Sequence, residues 1–134
     1  MRTLSTADRL AIHELIALHG HLMDDGAFDR LDEVFTSDVA YDVAALGGGI
    51  LLGPAAIRDA GLALGDNNPL GHHTTNVIVT EGSDEHARAR SKELGVLGNG
   101  AVCTVVYQDE IIRVPVGWRI SRRNVLPRER PLTR

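Results

Sequence analysis

Beyond residue 71 the sequence offers only strand-like segments, and this constrains the fold more than any other feature. Four runs, 72–80, 87–97, 101–113 and 116–124, are rich in Val, Ile and Thr or alternate polar with small and apolar residues. "GNG" at 98–100 returns the second run onto the third as a hairpin, and Pro115 separates the last two. A sheet built this way has an apolar face that needs a cover. The first half of the chain supplies one.

Ser5 to Asp25 reads as a helix. Ser5 is a good N-cap, with Asp8 three residues on in a relative of the capping box. Ile12, Leu15, Ile16, His19, Leu22 and Met23 follow helical spacing, and Gly26 is a natural terminator. "FDRLDEVF" (28–35) predicts a shorter helix with Phe28, Leu31, Val34 and Phe35 on one side. "VAYDVAAL" (39–46) reads as a strand with Val39, Tyr41 and Val43 on one face. "GGG" (47–49) is a turn, and Ile50 to Leu52 form a short return strand. A third helix spans 53–64, with Pro54 at its first position, and 65–71 is a loop. The expected class is therefore α+β: a curved antiparallel sheet wrapped over about three N-terminal helices. Such a cone has an open mouth and a pocket between its layers. The boundaries are one domain over 1–126 and an extended or disordered tail over 127–134.

Composition narrows the function classes. At 43% hydrophobic residues, 134 residues bury a real core, and a net charge of -4 with mixed signs argues against a general nucleic-acid binder. The single Cys103 excludes an intrachain disulfide; it shares a face with Val105 and Tyr107 and reads as small core filler. No stretch reads as a signal peptide or a membrane span, so the expected location is the cytoplasm. His13, His19 and His21 lie on different faces of one helix, and adjacent His72 and His73 cannot chelate together from a strand. Neither H-E-x-x-H, G-x-S-x-G, a P-loop nor a dinucleotide fingerprint occurs, so neither metal nor cofactor is expected.

Three places carry chemical potential. His19 sits on an otherwise apolar stripe, either as a boundary histidine or as a pocket-lining one. Asp24 and Asp25 close the first helix, where the dipole disfavours negative charge. "GHHTTNVIV" (71–79) opens a strand with two titratable rings. By alternation His72, Thr74, Asn76 and Ile78 share one face, and His73, Thr75, Val77 and Val79 the other. The second set is the more apolar and points His73 to the core; the first is the kind of polar face that lines a pocket. Alternation does not choose between them. In the next strand Arg88, Arg90 and Lys92 alternate with Ala87, Ala89, Ser91 and Glu93. The small set faces inward, bringing Ser91 and Glu93 toward the open end of the interior, where Glu93 reads first as an exposed rim residue.

"HGHLMDDGAFDRLDEVFTSDVAYD", "HHTTNVIV", "ARARS" and "GWRISRR" together resemble the nuclear transport factor 2-like superfamily, and within it the SnoaL-like group that includes scytalone dehydratase. The resemblance runs from residue 5 to about 124 and implies the cone fold. That family places an aromatic residue on the first helix five positions before an aspartate; here these are His19 and Asp24. It places a histidine four residues before the Asn of its central strand, which selects His72, with Asn76, over His73. In its dehydratase-like members the aspartate orients the histidine, the histidine is the general acid and base, and tyrosines activate water or polarise a carbonyl. Tyr41 lies on the equivalent first strand.

The resemblance thus implies His72, Asp24 and Tyr41 as catalytic residues, with His19, Asn76, Glu93 and Trp118 as substrate contacts, Trp118 being mainly structural. The implied activity is a cofactor-independent lyase or isomerase acting on a small hydrophobic carbonyl compound. Two departures stand out: "SKEL" occupies the region of the dehydratase's second histidine, and Met23 replaces a tyrosine. A ketosteroid-isomerase-like arrangement would use Glu93 or Asp24 as its base. An epoxide hydrolase would need an Asp-Arg-Asp network, and Arg90 has the wrong parity. A non-catalytic small-molecule binder or dimeric scaffold keeps the cone without the chemistry. A homodimer is expected in each case, with neither nucleic acid nor membrane as partner.

Overall fold

The computed structural model describes residues 3–132. Helix α1 (Thr6–Asp24) starts at Ser5, whose Oγ accepts the Asp8 amide at 3.0 Å. Its stripe of Ile12, Leu15, Ile16, His19 and Leu22 is buried against the sheet. The expected second helix is only a 3-10 turn, Phe28–Glu33, and Phe35 already opens strand β1 (Phe35–Asp42). The reason is local: Val34 and Phe35 favour extended backbone, and the Val34 carbonyl accepts the Ile120 amide at 2.8 Å, drawing the chain into the sheet. A 3-10 turn at Ala44–Leu46 and strand β2 (Ile50–Leu52) lead to helix α2 (Pro54–Leu64). Strands β3 (Gly71–Gly82), β4 (His86–Val96), β5 (Val102–Val114) and β6 (Gly117–Pro127) follow.

The six strands form one sheet in the order β2-β1-β6-β5-β4-β3. It is a mixed sheet, not a wholly antiparallel one, because β1 pairs parallel to β6. The long stretch of chain between these strands permits that orientation. Ile12, Ile16, Leu31, Val34, Phe35, Val39, Ile111 and Ile120 form the centre of the core between α1 and the sheet.

Two bulges decide which side chains enter the cone. In β3 the register moves from Thr75 opposite Lys92 to Ile78 opposite Arg90, and Asn76 takes a left-handed φ of 56°. The extra residue reverses the strand's parity. His72 and Thr74 are half-buried before it and Val77 and Val79 after it, while His73, Thr75 and Ile78 are exposed. Neither alternating set therefore faces one way throughout. In the β5–β6 pair the register moves from Ile111 opposite Ile120 to Glu110 opposite Arg122. Ser121 is the extra residue, and buried Trp118 and Ile120 are followed by buried Arg123 and Val125.

Cys103 is exposed, contrary to its reading as core filler; its thiol lies 3.8 Å from the Gly95 carbonyl near the hairpin turn, beyond the helical cover. Of the expected tail, Pro127 ends β6, residues 128–132 have no regular structure, and 133–134 lie outside the described residues. Among the described residues no helix is long and apolar enough to cross a membrane.

Candidate active site

Close approach of α1 to β3 builds the site. A Cβ on Gly20 would stand 2.9 Å from the His72 carbonyl oxygen, so only glycine lets the helix lie this near the strand. One turn on, Asp24 ends the helix directly over His72. Its two oxygens accept the His72 backbone N–H at 3.2 and 3.1 Å, and Oδ1 meets the ring Nδ1 at 2.5 Å. An acid disfavoured by the dipole thus receives two N–H groups from one residue. A carboxylate only accepts hydrogen bonds, so Nδ1 carries a ring proton, and in the neutral imidazole the lone pair is on Nε2.

That Nε2 lies 3.9 Å from Oε1 of Glu93. Glu93 is 4% exposed, and neither of its oxygens has a hydrogen-bond partner. Burial pushes its carboxyl above the usual range, against the opposing pull of His72 and Arg123. Ser91, two residues earlier on the same inward face, is fully buried with its hydroxyl unpartnered. Buried polar groups are ordinarily hydrogen-bonded, so unpartnered oxygens on Ser91 and Glu93 beside His72 mark this as a polar interior.

A second layer lies deeper. Arg123 is fully buried and donates through Nε and Nη2 to Asp109 Oδ1 and Oδ2 at 2.7 and 2.9 Å. Its guanidinium lies 3.9 Å from the centre of the Tyr107 ring, and Nη1 lies 2.9 Å from Nδ1 of His19. Tyr41 meets His19 and Phe35 edge to face, with centroids 5.9 and 5.8 Å apart. Its surroundings desolvate the phenol and push it up to about 12, so it remains a neutral donor.

The structure brings Asp24, His72 and Glu93 together, with Tyr41 and His19 in the adjoining layer. It does not bring in Asn76, which is exposed at the bulge. Nor does it bring in Trp118. That indole donates to Asp8 at 3.1 Å and stacks under Arg113 at 4.4 Å. Asp8 and Asp24 lie at opposite ends of α1, about 24 Å apart at the helical rise. Arg90 is exposed.

Sequence reasoning missed Asp109 and Arg123. Alternation with Tyr107 and Ile111 would have found the aspartate; the bulge at Ser121 concealed the arginine. Among the described residues no three His, Cys, Asp or Glu side chains converge as a metal site. A cleft of about 500 Å³ lined by Glu81, His86, Arg88, Glu110 and Ser121 does not include the dyad.

The model of the SnoaL-like domain matches residues 5–124, and the chain belongs to that family. An uncharacterized protein of Mycobacterium tuberculosis is 32% identical over 122 residues, covering 87% of this chain and 83% of that protein. Among solved structures, an NTF2-like protein with a cystatin-like fold from Novosphingobium aromaticivorans is 28% identical, with a TM-score of 0.76 over 90% of this chain and 82% of that one. A second protein of that organism, provisionally assigned as an aromatic ring hydroxylase, is 27% identical, with a TM-score of 0.76 over 95% and 93%.

Proposed function

We propose that this protein is a cofactor-independent lyase or isomerase of the dehydratase type, acting on a small hydrophobic carbonyl compound. The carrying observation is the 2.5 Å contact of Asp24 Oδ1 with His72 Nδ1, which leaves Nε2 as a base facing buried, unpartnered Glu93. His72 Nε2 removes a proton from the carbon beside a carbonyl. The C–H electron pair forms an enolate, and Asp24 stabilises the imidazolium produced. The enolate then expels a β-hydroxyl, which takes the proton from His72 and leaves as water, or it is reprotonated at another carbon. Neutral Tyr41, and Glu93 when its carboxyl holds a proton, are donors for oxygens of the substrate or leaving group.

A binder without chemistry needs no oriented base, and a histidine meeting two carboxyl groups is not in an apolar cage. Outward-facing Ile78, Leu94 and Leu126 are exposed and suit burial by a second copy, so the working unit in this reading is a cytoplasmic homodimer. Exchange of α-hydrogens for deuterium, followed by NMR over aryl and bicyclic ketones including 2-tetralone, tests the reaction. His72→Ala should lose at least about 10²-fold in rate while keeping its fold. Retained exchange in that variant removes the assignment.

A further inference from the structure

Among the described residues, His19 is the buried histidine whose tautomer a neighbouring donor fixes and whose other nitrogen has no partner. Arg123 Nη1 lies 2.9 Å from its Nδ1. A guanidinium only donates, so Nδ1 accepts. The imidazole is then neutral, with its proton on Nε2. Burial and the charge of Arg123 both oppose a second proton. The arginine cannot turn away, because Asp109 holds it with two hydrogen bonds. The ring cannot swing either, since Phe35 and Tyr41 pack edge-on at 5.0 and 5.9 Å. The result is a rigid N–H donor inside the protein, 4% exposed and bonded to nothing. His72 is among the charges that act on His19, and a Cβ on the next residue, Gly20, would stand 2.9 Å from the His72 carbonyl oxygen, so the two histidines share one region of the helix–strand contact.

We propose that His19 is the neutral electrophile of the site: its Nε2–H receives the substrate's carbonyl oxygen while His72 Nε2 takes the α-proton. The two imidazoles play opposite parts, each set by the group behind it. Asp24 makes His72 an acceptor, and Arg123 makes His19 a donor. As the C–H bond breaks, its electron pair becomes the C=C of the enolate and the carbonyl π pair moves to oxygen. The His19 N–H stabilises that oxygen without giving up its proton. The preferred ligand therefore has a carbonyl group whose carbon is bonded to an acidic C–H-bearing carbon, and the corresponding alcohol or amine binds worse. The role in turnover rests on the lyase or isomerase reading; the tautomer does not.

Two measurements test it. In full-length protein labelled with ¹⁵N-histidine, and assigned with His19→Gln, the His19 ring should show a protonated Nε2 and bare Nδ1 from pH 5 to 8. An imidazolium or an Nδ1–H form overturns the proposal, whatever the reaction is. In the ketone exchange assay His19→Leu should lose about 100-fold or more in kcat. His19→Gln, whose amide can accept from Arg123 and donate to substrate, should stay within about tenfold of wild type. If 2-tetralone and its analogues exchange in wild type and His19→Leu but not in His72→Ala, the reaction stands and the role of His19 falls. If no ketone exchanges even in wild type, the reaction and the His19 role fall together. If His19→Leu does not fold, the tautomer and the rate of His19→Gln decide; a hundredfold loss in the glutamine variant overturns the proposal.

Discussion

Asp24 holds His72 twice, through the ring Nδ1 at 2.5 Å and through the backbone N–H at 3.1–3.2 Å. The double contact fixes both the position of the strand under the helix end and the ring's tautomer. Asp24→Asn separates the two tasks. The amide still offers one oxygen to the backbone, but its NH₂ favours the other tautomer and leaves Nε2 protonated. The expected outcome is a folded protein with α-exchange reduced about 10²–10⁴-fold, checked by rate measurement beside a thermal melt. An unchanged rate would show that the ring does not depend on its orienting group.

Glu93 gives a pH dependence whose direction follows from burial. Its folded-state carboxyl is raised above its usual value of 4.5. As pH climbs past that value, the unfolded chain releases the proton while the native state keeps it. The native state then binds more protons, and its stability falls until the raised value is passed. Glu93→Gln removes this loss. Urea unfolding from pH 4.5 to 8 should show the variant gaining on wild type by no more than about 1.4 kcal/mol per pH unit. A constant difference across that range would mean that Glu93 is ionised in the fold much as it is outside it.

Arg123 and Asp109 form a fully buried ion pair with both hydrogen bonds made. Asp109→Ala leaves the buried guanidinium without its hydrogen-bonded carboxylate and should cost about 3–5 kcal/mol in chemical denaturation. Replacing both, Arg123→Met with Asp109→Leu, should recover much of that loss, because no charge is then buried alone. A double variant no more stable than Asp109→Ala would show that the pair does more than satisfy its own desolvation.

Asn76 is exposed and left-handed, so its backbone matters more than its side chain. Asn76→Gly should be neutral to within about 1 kcal/mol, while Asn76→Val should lose about 1–3 kcal/mol through strain at φ 56°. Because the bulge sets the parity of β3, the valine variant should also disturb the His72 ring signals by NMR. Equal stability of the two variants would mean that the bulge relaxes without cost.

The sequence by itself determined the class of fold, the helix start at Ser5, the hairpin at 98–100 and the inward set of Ala87, Ala89, Ser91 and Glu93. These rest on short-range rules: a cap and its partner three residues on, a turn, an unbroken period of two. It also put His72 and Asp24 together, but through family resemblance, since alternation along 71–79 does not choose between His72 and His73. Tertiary structure decided the rest. Two bulges, at Asn76 and Ser121, each reverse a strand's parity, and no period read from one strand reveals an extra residue whose place depends on the neighbouring strand. The pairing of Arg123 with Asp109 and the locking of His19 arise from contacts between residues 14 and 104 positions apart. Whether a histidine on an apolar stripe is filler or a fixed donor depends on what meets its other edge, and only the folded chain supplies that.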